Sequence, residues 1–166
     1  MNMKRFCSLI MALVCVLLAA LGLCSCDGNE EGSTTAGTFG IVYNGVVVEL
    51  DKKADGILEK LGTPDEEAPV ADCGTGPRVR YTYQDIVVYT VEKNGVEKID
   101  EISLSNDIVA TSKNIAIGSS EEDVREAYGK PTTDDKVKLT YAKNGLELIF
   151  TIKNGNVSAI KYNKRA

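Results

Sequence analysis

Apolar and polar side chains alternate with a period of two through most of the chain beyond residue 78. Val79, Tyr81 and Tyr83 alternate with Arg80 and Thr82, and Val137, Leu139 and Tyr141 with Lys138 and Thr140, which predicts strands with one face toward a core. The next runs place Val87, Tyr89 and Val91, or Leu148, Phe150 and Ile152, on one face. Asn94-Gly95 and Asn154-Gly155 predict two-residue hairpins, since both residue types tolerate positive φ. The strands beyond them run over about Glu97–Ser105 and Asn156–Asn163. A helix signal precedes each set. Ser119-Ser120-Glu121-Glu122 reads as a capping box with Ser119 as the cap, and Gly129 followed by Pro131 stops that helix. Earlier, a helix is expected from Asp51 or Lys52 to Leu61, ending at Gly62 and Pro64, with Gly56 costing up to about 1 kcal/mol inside it.

These elements recur. Leu61-Gly62-Thr63-Pro64 and Tyr128-Gly129-Lys130-Pro131 lie 67 positions apart, and the offset shrinks to 58 by the last strands, so the first copy carries the longer loops. Its main insertion is Glu67–Pro77. The expected fold class is α+β: two tandem repeats over 41–105 and 106–166, each a helix packed on an antiparallel β meander, with the helices on one face of the sheet. At about 60 residues a unit is marginal alone, so the two should share one core. Alternation leaves a second face for solvent or a partner. Its candidate binding positions are Arg80, Thr82, Val88, Thr90, Lys138, Thr140, Glu147, Ile149 and Thr151, with Ile99, Glu101, Ser103, Val157, Ala159 and Lys161 beside them.

The N-terminal 1–25 has a different pattern: Lys4 and Arg5, then an apolar run from Leu9 to Leu23, then Cys24-Ser25-Cys26. This reads as an export signal, its apolar run of about 15 residues being short of the roughly 20 that span a bilayer. Leu23-Cys24-Ser25-Cys26 resembles the bacterial lipobox and makes Cys26 the candidate lipidation site; Cys24 competes, but the bulky Leu23 would precede it. Cleavage before Cys26 would leave 17 basic and 24 acidic side chains, net −7, on a chain held by two or three acyl chains and repelled by anionic lipid. Residues 26–40, rich in Gly, Ser, Thr and acid, are expected to be a flexible tether.

Composition narrows the chemistry. The whole chain carries a net charge of −5 and no His, which excludes His catalysis and His metal ligands and argues against nucleic acid as a partner. Four of the five cysteines, Cys7, Cys15, Cys24 and Cys26, belong to the signal or the anchor, leaving Cys73 alone in a loop without a disulfide partner. Gly74 and Gly76 do not link a strand to a helix and form no phosphate loop. Glu121, Glu122 and Asp123 suit a helix N-terminus better than a cation site. Asp65, Glu66, Glu67 and Asp72 could pair as acid and base, but they lie in a polar stretch where solvated carboxylates are the ordinary case.

The run from Ile117-Gly118-Ser119 through Tyr128-Gly129-Lys130-Pro131, Tyr141 and Ile149-Phe150-Thr151-Ile152-Lys153-Asn154-Gly155 resembles the SmpA/BamE assembly lipoproteins and the β-lactamase inhibitor proteins, over about residues 46–163. That resemblance implies protein binding through the sheet or its loops, with no catalytic residues and no cofactor. Asp27 after Cys26 looks like the signal that retains lipoproteins at the inner membrane. The expected function is a lipid-anchored, non-catalytic binding module for a protein partner at the extracytoplasmic face of the bacterial cytoplasmic membrane. A small-ligand or peptide receptor is the alternative, and an envelope enzyme a distant third.

Overall fold

Four Asn-Gly pairs set the chain's reversals, each with both residues at positive φ: Asn44-Gly45, Asn94-Gly95, Asn144-Gly145 and Asn154-Gly155. The computed structural model describes residues 36–71 and 76–165. In chain order the elements are β1 (Gly40–Tyr43), β2 (Val46–Glu49), α1 (Asp55–Leu61), β3 (Glu66–Val70), β4 (Arg78–Thr82), β5 (Ile86–Lys93) and β6 (Val96–Leu104). Then follow α2 (Glu121–Tyr128), β7 (Thr133–Asp135), β8 (Lys138–Lys143), β9 (Leu146–Lys153) and β10 (Asn156–Lys164).

The expected fold class is corrected here. The described chain is mainly β: one eight-stranded antiparallel sheet, ordered β3-β4-β5-β6-β10-β9-β8-β7, and a separate β1-β2 hairpin. It is not two helix-on-meander units, because the helices have only seven and eight residues. A seam makes the sheet continuous: Lys161, Tyr162 and Asn163 of β10 pair with Ser103, Ile102 and Glu101 of β6. Two further strands form that the alternation does not predict: β3, which overlaps the expected insertion Glu67–Pro77, and β7. Both are edges, blunted by Glu66, Glu67 and Pro69 on one side and by a three-residue strand with Asp134 and Asp135 on the other.

The first helix starts later than its sequence suggests. Asp51 sits at φ 64° and its carboxylate takes Lys98 at 3.2 Å and Lys164 at 2.5 Å, while Ala54 N–H donates to Glu97 O at 3.0 Å. These bonds bind residues 51–54 to β6 and β10, so the helix runs only from Asp55, with Ala54 as its cap. The Asp51 carboxyl is held below its ordinary range, first by the Lys164 hydrogen bond and also by Lys98. In α2 the box is closed by Ser120 and Asp123 rather than by Ser119 and Glu122. Ser120 Oγ accepts from Asp123 N at 3.1 Å and Asp123 Oδ2 accepts from Ser120 N at 3.0 Å. Ser119 Oγ instead accepts from Ala116 N at 3.1 Å, one turn before the helix.

One core lies on one face of the large sheet, built from Ile86, Val88, Ile99, Ile102, Leu104, Leu139, Leu148, Phe150, Ile160 and Tyr162. The hairpin closes it with Ile41, Tyr43, Val48 and Leu50, α1 with Ile57, Leu58 and Leu61, and α2 with Val124 and Tyr128. Tyr128 stands 5.2 Å from the Tyr141 ring and 5.3 Å from Phe150, centroid to centroid. Burial raises the Tyr162 hydroxyl far above the usual phenolic range. Within the expected tether, Ala36 is buried and Gly37 N–H donates to Glu49 Oε1 at 2.6 Å, so the packed body reaches back to residue 36.

Gly129 ends α2 at φ 74°, ψ −148°, a region essentially restricted to glycine. A Cβ there meets no atom within 4 Å, so any penalty is backbone strain rather than collision. Gly129→Val should therefore cost about 1–3 kcal/mol, and Gly129→Ala a large part of that. Denaturant midpoints for both variants check this; unchanged midpoints would refute the helix-stop assignment.

Candidate functional site: the outer face of the sheet

The helices and the hairpin cover one face of the large sheet, and among the described residues no helix or hairpin covers the other. Register assigns residues to it pair by pair: Arg80↔Tyr89 and Thr82↔Val87 in β4·β5, Tyr89↔Glu101 in β5·β6, and Asn163↔Glu101 at the seam. Beyond the seam come Lys161↔Ile149, Ala159↔Thr151, Lys138↔Thr151 and Thr140↔Ile149. Seven of the nine expected positions, Arg80, Thr82, Lys138, Thr140, Glu147, Ile149 and Thr151, lie on this face.

Val88 and Thr90 do not, and that is a correction. Tyr81 pairs with Val88 and Val79 with Thr90, so both point into the core face, where each is 0% exposed. The alternation slips by one residue across the tight Tyr83–Asp85 turn, which Tyr83 N–H closes onto Ile86 O at 2.9 Å. Tyr89, expected inside, consequently faces outward. Bulges account for two neighbours. The ladder skips Asp100 in β6 and Ser158 in β10, so Ile99 and Val157 turn inward beside Ile102 and Ile160. Thr90 keeps its hydroxyl satisfied on the core side by bonding Glu97, which also accepts from Tyr81 OH at 3.3 Å. Burial, then the Glu97 and Glu67 carboxylates, push the Tyr81 hydroxyl up to about 12.

Arg78, missed in the sequence reading, shares the outer face two residues before Arg80, as alternation alone could have indicated. Its guanidinium lies 3.1 Å from Asp100 and 3.8 Å from Glu101, and 5.3 Å from the Tyr89 ring centroid. Lys161 reaches Glu101 at 2.7 Å and Arg80 reaches Glu66 at 2.7 Å. Charges on the β3–β6 half are thus matched internally. The β8–β9 half is different: Thr140, Ala142, Ile149 and Thr151 make a small, β-branched surface, and among the described residues no ion pair holds Lys138.

The expected carboxylate group is dispersed. Glu66 and Glu67 are consecutive strand residues on opposite faces, and only Glu66 meets Arg80. Asp72 and Cys73 lie outside the described residues, as do Cys26 and the whole signal segment. Among the described residues no group of three or more acidic or thiol side chains is placed to hold a metal ion, and no helix is long and apolar enough to cross a membrane. Grooves occur away from the outer face, one of about 340 Å³ beside Phe39, Leu50 and Leu146, and one of about 480 Å³ beside Lys113 and Asp123. Compared with protein-family models, curated proteins and solved structures, the chain matches none.

Proposed function

We propose that this chain is a lipid-anchored, non-catalytic binding module at the extracytoplasmic face of the bacterial cytoplasmic membrane, and that it takes a protein partner on the outer face of its large sheet. One observation supports this reading most: an eight-stranded sheet with one face sealed by the core and the other covered, among the described residues, by no helix or hairpin. Eight strands at about 4.8 Å spacing and about 25 Å length offer on the order of 1,000 Å², against the roughly 800 Å² each partner contributes to a standard interface. The β8–β9 half has the composition for close approach, with small side chains, and its Lys138 favours an acidic partner surface. Anchoring rests on the lipobox at Cys26, and mass spectrometry of the membrane-extracted chain tests it: an unmodified mature N-terminus elsewhere would refute it.

The docking face is tested by paired variants. Arg80→Glu with Lys138→Glu should shift stability by no more than about 1 kcal/mol, because both side chains sit at the surface and exposed ion pairs contribute little. A photo-crosslinking residue at Thr140 or Thr151 should give a discrete adduct in intact membranes, and the charge reversal should weaken it. Adducts formed equally well from Lys60 on α1, or insensitive to the reversal, would place the partner elsewhere.

A further inference from the structure

A cleft of about 340 Å³ opens where the ends of the β1-β2 hairpin meet the start of β9. Phe39 and Leu50, joined by the bond from Leu50 N to Phe39 O at 3.1 Å, line it together with Leu146. Leu50 is buried, whereas Phe39 and Leu146 pack against the core only in part, so both still offer apolar surface to whatever enters. Clefts of about 300–1,000 Å³ with apolar linings and a few fixed polar groups are the usual form of a small-ligand site.

Two carboxylates, Glu49 and Asp51, and the Lys52 ammonium also line this cleft. Both carboxylates are engaged. Glu49 Oε1 accepts from Gly37 N at 2.6 Å, and the side chain lies so close to the backbone that a Cβ on Gly40 would come within 2.5 Å of Glu49 Cγ. Asp51 Oδ1 takes both Lys98, at 3.2 Å, and Lys164, at 2.5 Å, one oxygen for two cations. Lys164 pairs with Leu146 in the β9·β10 register, so this cation and part of the apolar lining come from neighbouring residues. Among the described residues Lys52 makes no ion pair. Positive charge is therefore in local excess, three ammoniums to two carboxylates, in a chain whose overall charge is −5. An entering cation would meet that excess unfavourably, and an entering anion would be drawn to it.

We propose that this cleft binds a small aliphatic monocarboxylate, its chain against Phe39, Leu50 and Leu146 and its carboxylate on Lys52 and Lys164, taking over from Asp51 a share of the second lysine. Asp51 is then the built-in competitor that occupies the cations while the cleft is empty of ligand. Its backbone sits at φ 64°, a conformation that Asp and Asn adopt more readily than other side chains, so the carboxylate can be removed without disturbing the turn that carries it. Neither a lipidated Cys26 nor a partner on the outer sheet face enters this inference, and its failure would leave both readings as they stand.

The test uses the full chain in phosphatidylcholine nanodiscs, with octanoate as the probe and an octanoate bearing a terminal diazirine as the photolabel. Peptide mapping by mass spectrometry should find the label on the segments that hold Phe39, Leu50 or Leu146. Octanoate should displace it at a free concentration about tenfold or more below that needed by octanol or octylammonium. Asp51→Asn, which releases both lysines, should tighten octanoate binding by about threefold or more, and Lys52→Glu should weaken it by a similar factor while improving competition by octylammonium. Both changes fall on surface side chains, Asp51 being 43% exposed and Lys52 exposed, and circular dichroism checks that each variant is folded. A label that octanoate does not displace, octanol or octylammonium competing as well as octanoate, or a folded Asp51→Asn that binds octanoate no more tightly than the parent chain would each overturn the proposal. Should Asp51→Asn not fold, Lys52→Glu decides alone: unchanged displacement by octanoate would overturn it.

Discussion

Phe150→Ala should lower stability by about 3–5 kcal/mol, a large share of the roughly 5–15 kcal/mol that folded domains ordinarily have. Phe150 is fully buried on β9, between Leu139 on β8 and Ile160 on β10. Its ring also touches two others, Tyr128 at 5.3 Å and Tyr141 at 6.0 Å, so truncation opens a cavity and removes two aromatic contacts at once. Those rings tie α2 to the sheet, and Tyr141 OH fixes the helix end by donating to Gly129 O at 3.1 Å. The loss should therefore exceed that of Leu146→Ala on the same strand, which is only half-buried. Chemical denaturation of the two variants measures the difference. Equal losses would mean that the aromatic cluster is not the centre of this half of the core.

Turn chemistry is the most legible part of this chain. Each Asn-Gly pair demands positive φ at two consecutive residues, a local requirement that no tertiary contact has to supply, and it fixes the register of the β5–β6 and β9–β10 hairpins from sequence alone. The same signal at Asn44-Gly45 and Asn144-Gly145 is equally readable and marks the other two hairpins. Edges are harder. Glu66–Val70 has a strand's length but a loop's composition, because an edge strand must discourage further pairing, and acid and proline are how it does so. Helix length is decided by contacts, not propensity, since Asp51 is drawn to lysines from two distant strands before a helix can start. Bulges leave almost no local signal. Nothing in Lys98–Glu101 announces that Asp100 will be skipped, yet that one residue decides whether Ile99 faces solvent or core. Of the candidate site, the β8–β9 contribution is legible because its alternation runs unbroken into an Asn-Gly turn. In β4 it holds, and in β5 it fails, because the three-residue turn between them carries no residue that sets its parity.

That parity can be tested on two adjacent residues with the same side chain. Counting straight through the Tyr83–Asp85 turn puts Val87 inside and Val88 outside; the register puts Val88 against Tyr81 and Ile102 on the core face and Val87 against Thr82 and Ser103 on the open one. A carboxylate at 88 would be fully buried with no cation among the pairs it faces. Val88→Asp should then cost more than about 4 kcal/mol and yield a protein that is unfolded or purified only as aggregate. Val87→Asp places the same charge on a surface that already carries Arg80 and Lys161, and should cost about 1 kcal/mol or less. Circular dichroism and urea midpoints of the two variants give the answer together, and the comparison cancels composition, since each swaps one valine for one aspartate at neighbouring positions of one strand. A folded Val88→Asp beside an unfolded Val87→Asp would mean that β5 is threaded the other way. In that case the surface open to a partner would carry Val88 and Thr90 in place of Val87 and Tyr89.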